Sequence, residues 1–210
     1  LLSFMLISCR STRVEEVAKI KQPNILLLLS DDQSFNTINA LGNKEVSTPN
    51  MDRLVREGTA FTHAHIMGGN TGAICMPSRA MMMTGKNVHK FNNQGALTSE
   101  DETMPQLLKE AGYATFGTGK WHNNRDSYAR SFTHGSNIFL GGMSNHLKVP
   151  LHDFDPSGEY LKRNRRFEDK FSSVLFREAT VDFFENYNED KPFFAFVSFT
   201  SPHDPRMAPK

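Results

Sequence analysis

The chain has 210 residues, 38% of them apolar and 22% charged, enough hydrophobic sequence for a substantial core and a poor match to a disordered segment or a coiled coil. Twenty-four Lys and Arg against 23 Asp and Glu leave a formal charge of +1, which argues against the broad basic footprint of a nucleic-acid-coating protein, so any anion must be met locally. Two cysteines, Cys9 and Cys75, cannot supply a disulfide framework or a Cys-based zinc site.

Leu1 to Cys9 is an apolar segment closing on small residues and followed by polar sequence, which reads as the end of a secretory signal peptide. Leu6-Ile7-Ser8-Cys9 resembles a bacterial lipobox, and that resemblance implies an exported protein of the periplasm or cell envelope, acylated at Cys9 and tethered by its lipid chains. No apolar run approaches the roughly 20 residues needed to span a bilayer. Residues 1–22 are therefore expected to be leader and linker, and residues 23–210 the folded portion.

Ile25 to Leu29, an unbroken apolar run, predicts a strand buried on both faces in a parallel sheet. Thr48-Pro49 gives an N-cap and a first-turn proline to a short amphipathic helix with Met51, Leu54 and Val55 on one face, stopped at Gly58. His63 and His65 alternate in an expected strand and read as structural or exposed. Thr103 and Gln106 have capping-box spacing ahead of Met104, Leu107, Leu108 and Ala111, with Gly112 closing that helix, and a strand over Tyr113 to Gly117 follows. Residues 123–169 show no clear period and are expected to form long surface loops. A helix over Phe171 to Tyr187 precedes a second buried strand over Phe193 to Phe199. The alternation predicts an α/β fold, a mixed, largely parallel central sheet flanked by helices. A final buried strand so close to residue 210 predicts the amino-terminal part of a larger domain, incomplete at its C-terminus.

Open α/β sheets place their sites beyond the carboxyl ends of the strands. Three strand ends are polar here: Ser30-Asp31-Asp32-Gln33, Thr118-Gly119-Lys120-Trp121-His122 and Ser201-Pro202-His203-Asp204. Adjacent carboxylates repel unless a cation neutralises them, so Asp31-Asp32 is a candidate divalent-metal half-site as well as a candidate solvated turn. Lys120, His122 and His203 would each be unremarked alone; their convergence with the two acids is the functional signal.

Cys75-Met76-Pro77-Ser78-Arg79-Ala80-Met81-Met82-Met83-Thr84-Gly85 resembles the sulfatase signature C-x-P-S-R-x4-T-G. Asp31-Asp32, Thr48-Pro49-Asn50-Met51-Asp52-Arg53-Leu54, Gly117 to His122 and Ser201-Pro202-His203 extend the resemblance, in an order similar to the amino-terminal half of a type I sulfatase of the alkaline phosphatase superfamily. The resemblance implies that a maturation enzyme oxidises Cys75 to formylglycine, whose hydrated aldehyde offers one hydroxyl to attack sulfur and a second whose deprotonation expels sulfate. It implies that Asp31, Asp32 and matured Cys75 bind Ca²⁺, with Mg²⁺ as the alternative, and that Arg79 holds the formylglycine while Lys120 contacts a sulfate oxygen. His122 then assists loss of the second diol proton and His203 protonates the leaving alcohol. A helix beginning near Pro77 would aim its amino terminus at the anion.

The substrate class implied is a sulfate ester; export suits a sulfated glycan, with aryl and choline sulfates also open, and the basic run Lys162-Arg163-Asn164-Arg165-Arg166 reads first as a solvated face and second as a contact for a polyanionic substrate. His89 and Asn70 flank the signature without an expected essential role, and Met81 to Met83 read as core packing. In the family a further Asp with Asn or His, and a later Lys, complete the site, so this stretch alone is expected to be weakly metallated and inactive. A phosphonate or phosphodiester hydrolase with the same matured cysteine and a non-catalytic anion-binding fragment remain alternatives.

Overall fold

The computed structural model describes residues 21–69, 72, 74–91 and 95–209. Cys9, the lipobox and Asn70 lie outside the described residues. Four strands form one sheet in the order β1-β4-β2-β3: β1 Ile25–Leu29, β2 Ala114–Lys120, β3 His134–Phe139 and β4 Phe193–Ser198. Every pairing between them is parallel, as sheets with crossover helices require. Among the described residues five α-helices accompany them: α1 Pro49–Glu57, α2 Cys75–Thr84, α3 Met104–Glu110, α4 Arg125–Ser131 and α5 Ser172–Asn186.

The centre of the sheet follows from alternation along β4. Phe194 and Phe196 enter a core with Met83 of α2, Trp121, Tyr128 of α4 and Phe132 at the end of that helix. Ala195 and Val197 meet the other face, where Leu175, Phe176 and Ala179 of α5 pack. Helices thus cover both faces, and the two inner strands are buried nearly throughout. Between Gly117 and Gly119 the β2–β3 register shifts, and Gly119 has φ +85° with its Cα so close to the Ser198 carbonyl that a Cβ would lie 1.9 Å from that oxygen. Only glycine fits, and the strand continues to a fully buried Lys120.

The capping box before α3 forms: Gln106 Oε1 accepts from the Thr103 N–H at 3.0 Å. Gln106→Ala is expected to cost roughly 1 kcal/mol in urea unfolding, because it leaves a buried Thr103 donor unpaired.

Four expectations are corrected. β1 is an edge strand with Leu26 and Leu28 about half exposed, since its order in the sheet gives it one neighbour and only Ile25, Leu27 and Leu29 pack on the core. The helix from Pro49 turns Met51 and Leu54 outward and buries Asp52, which accepts from Thr48 Oγ1 (2.8 Å) and the Ala40 N–H (2.9 Å). His63 and His65 are exposed and in no strand, with no neighbouring strand there for the segment to pair with among the described residues. Residues 123–169 hold α4 and β3 rather than loops alone. β3 hides in the sequence because Gly135 and Asn137, at φ +51°, are weak strand formers; pairing with β2 overrides local preference.

Candidate active site

The carboxyl ends of β1, β2 and β4 converge with the first turn of α2. Asp31 follows β1 and its N–H donates to the Ser201 carbonyl at 3.1 Å, tying the loops after β1 and β4 together. Asp31 is 5% exposed. One carboxylate oxygen accepts from Lys120 Nζ at 2.5 Å and the other lies 3.3 Å from Arg79 Nη2. Arg79, one helical turn beyond Cys75 and so on the same face of α2, also donates to the Lys120 carbonyl and to Ser198 Oγ, both at 2.6 Å. A single guanidinium thereby joins the ends of β2 and β4 to the acid that follows β1.

The neighbouring acids avoid each other through the backbone. Asp32 has φ +56°, a left-handed conformation that Asp tolerates better than most residues, so it leaves the chain in another direction and stays exposed. Its Oδ1 is 3.7 Å from Cys75 Sγ and its Oδ2 3.5 Å from His203 Nε2. Ligand atoms of Asp31, Cys75 and His203 lie within 4.8 Å of one another. The sequence pointed to Asp31, Asp32 and Cys75 for a metal; the geometry groups Asp31 and Cys75 with His203 and sets Asp32 beside Cys75 and His203. The His203 Nδ1–H donates to the Asp204 carbonyl at 2.6 Å, which leaves Nε2 facing the site.

Cys75 is the first residue of α2 and partly buried. Burial pushes its thiol above the usual range; Lys120 opposes this, while Asp31 and Asp32 reinforce it. A thiol so placed stays protonated and is a weak nucleophile. Burial draws the Arg79 guanidinium down, countered by Asp31. The helix begins two residues before Pro77, which sits in the first turn, where its missing N–H costs no hydrogen bond.

His122, also left-handed at φ +54°, has its pKa lowered to about 4 by burial, then by the charges of Lys120 and Arg79. Its Nδ1 is buried without a partner among the described residues. The ring is neutral near pH 7. The folded chain protonates it near pH 4 and an unfolded chain near 6.5, so its contribution to stability is complete above 6.5 and lost as pH falls towards 4. NMR titration of the metal-free protein is expected to show the His122 ring titrating near 4; a midpoint near 6.5 contradicts the burial. A Cβ on Gly142 would lie 2.4 Å from His122 Nε2, so Gly142→Ala is expected to turn the ring aside, read as a displaced His122 ring resonance by NMR with little change in Tm.

His89 is exposed in a short 3₁₀ helix, Val88–Lys90, and takes no part. Two contributors were not singled out in the sequence. Ser198, the one polar residue of β4, anchors Arg79, and that break in an otherwise apolar run was a usable signal. His146 is 2% exposed, with Nε2 2.9 Å from the His203 carbonyl and Nδ1 2.9 Å from Thr200 Oγ1. A carbonyl only accepts, so Nε2 carries the hydrogen, and His146 steadies the loop that bears His203. As a lone histidine in a loop it gave no signal.

Comparison with known proteins identifies the family of the chain. The Sulfatase family model matches residues 23–210. N-acetylglucosamine-6-O-sulfatase of Bacteroides thetaiotaomicron is 30% identical over 206 residues, covering 97% of this chain and 34% of that protein. Human N-acetylgalactosamine-6-sulfatase is 27% identical over 217 residues, covering 90% and 41%. Among solved structures, a protein in complex with its substrate D-glucosamine-2-N,6-O-disulfate superposes with a TM-score of 0.73 at 28% identity, over 89% of this chain and 36% of that one. The chain thus spans about 40% of the length of such relatives. By sequence over residues 23–210 and by its parallel sheet flanked by helices, it belongs to the sulfatase family of the alkaline phosphatase superfamily.

Proposed function

We propose that the full-length protein hydrolyses a sulfate ester on a carbohydrate, using formylglycine made from Cys75 by a maturation enzyme and a calcium ion held by Asp31, Asp32 and the matured side chain. The observation that carries this reading is the meeting of Cys75 and Arg79, one turn apart on α2, with Asp31 and Lys120 at the carboxyl edge of the sheet. The named substrates of relatives, N-acetylglucosamine and N-acetylgalactosamine 6-sulfates and a glucosamine disulfate, support a sulfated sugar. Export and a lipid anchor at Cys9 belong to the same proposal.

The donor set fits a hard cation. Asp31 and Asp32 offer carboxylate oxygens, and maturation of Cys75 would exchange a soft sulfur for oxygen in the same place. When present, the two groups supply Lewis acidity towards a sulfate oxygen and a nucleophile with two hydroxyls on one carbon. This chain's residues do the rest. Lys120, with one hydrogen committed to Asp31, has others to offer a sulfate oxygen as it gains charge. Arg79 keeps Asp31 and Lys120 in place from within the core. His122 would accept a proton from the matured side chain, and His203, fixed through Nδ1, would deliver one to the departing alcohol when Nε2 is also protonated.

Turnover of aryl sulfate beside a phosphate diester, by full-length protein made with the maturation enzyme, tests the reading. Sulfate-ester hydrolysis in clear excess is expected; a preference for the diester assigns the protein to the phosphodiester side of the superfamily instead.

A further inference from the structure

Between the segment after β2 and the segment after β3 lies a cavity of about 730 Å³, at the same carboxyl edge of the sheet as Asp31 and Lys120. Asn123 and Asn124, directly after His122, form one side, and Leu140, Gly141 and Met143 form another. Gly142 packs against the His122 ring, so this loop adjoins the reacting centre. Arg125 and Arg165 enter from α4 and from the basic run, and His152 lies between them in sequence.

The charges are unbalanced. Neither Arg125 nor Arg165 lies within 4.0 Å of a carboxylate among the described residues; Arg125 donates only to the Glu159 carbonyl, at 2.9 Å. The one acid in the lining, Asp126, is largely exposed and lies 3.8 Å from Arg130. The basic run is sorted by the fold: Arg166 pairs with Asp153 at 2.9 Å and Glu168 at 3.0 Å, whereas Arg165 faces the cavity unpaired. Burial, followed by the charges of Arg165 and Arg125, lowers the pKa of His152, as expected where positive potential is concentrated. Asn123 Nδ2 is buried with no partner among the described residues. Leu140 and Met143 add apolar surface of the kind that receives the face of a sugar ring.

We infer that this cavity is a subsite for a second anionic group, a sulfate or carboxylate carried by the glycan beside the ester that is cleaved, with Arg125 and Arg165 as its cationic walls. The inference rests on the sulfatase reading and narrows its substrate class to polyanionic glycans. Guanidinium forks suit such oxyanions because two parallel N–H bonds match two oxygens.

The test uses the full-length matured enzyme with two probes, a monosulfated disaccharide and the same disaccharide carrying a second sulfate or a uronate carboxylate. Binding of both to the Cys75→Ser protein, by calorimetry, accompanies the kinetics. Arg165→Ala is expected to raise KM and Kd for the dianionic probe about three- to tenfold while leaving the monosulfated one and kcat unchanged, and Arg165→Glu to do so more strongly. Arg165 side-chain contacts are not part of the core, so both variants are expected to fold. Equal effects on the two probes, or none, overturn the subsite while monosulfate turnover leaves the sulfatase reading standing. An enzyme that turns over neither probe nor aryl sulfate overturns the underlying reading and the subsite with it.

Discussion

Cys75→Ala in the full-length protein is expected to abolish sulfate-ester turnover, a loss on the order of 10⁴-fold or more, since it removes the thiol that the proposed maturation would oxidise and leaves a methyl that cannot become the aldehyde. Stability should barely change. Cys75 is partly buried at a helix start, and the hydrogen-bond partner of its thiol is Asp32 at 3.7 Å. Cys75→Ser is the sharper variant. It restores a hydroxyl at nearly the same place, yet that carbon bears no second hydroxyl with which to expel sulfate, so multiple turnover should stay as low as in Cys75→Ala. Steady-state assays with aryl sulfate, alongside thermal unfolding, check both. A serine variant with near-native kcat would show that an ordinary hydroxyl suffices.

Asp31→Asn carries the second large effect, this time on folding as well as chemistry. Lys120 is wholly buried and Arg79 4% exposed, and both direct their charges at the Asp31 carboxylate. The substitution keeps the volume and leaves two buried cations facing a neutral amide. Breaking one buried pair typically costs about 3–5 kcal/mol, because the abandoned charge stays desolvated. A loss of that size is expected in urea unfolding of the full-length protein under chelation, with unchanged m. Adding Lys120→Met should recover part of it, since the double variant removes one of the stranded charges along with the acid. Activity should fall to background in either case. A stability change of less than about 1 kcal/mol would mean that the carboxylate is not held between the two cations.

The clustering of the candidate residues was legible in the sequence, as was the fold class, while several local elements were not. Cys75 and Arg79 are four residues apart, and that spacing fixes them on one helical face without tertiary information. Asp31, Lys120 and His203 were placed by the rule that loops after parallel strands converge, and the sheet order puts β4 between β1 and β2, which brings them together. The way the acids divide was not legible: the left-handed backbone at Asp32 comes from the turn after β1, and a dipeptide of identical residues gives no hint which faces inward. β3 escaped because its sequence, His134 to Phe139, becomes a strand only through pairing with β2. The outward Met51 and Leu54 escaped for the opposite reason. Their spacing is helical, but burial went to Asp52, whose hydrogen bonds with Thr48 and Ala40 set the helix orientation. His146 acts only through the fold, by gripping the carbonyl of a residue 57 positions away.

The most direct measurement is mass spectrometry of the proteolytic peptide that contains Cys75, taken from active full-length protein produced together with a formylglycine-forming enzyme. The account predicts that sulfur is lost from this residue and an aldehyde, trapped by a hydrazide reagent, stands in its place in proportion to specific activity. Active protein in which the peptide retains an intact thiol would contradict it.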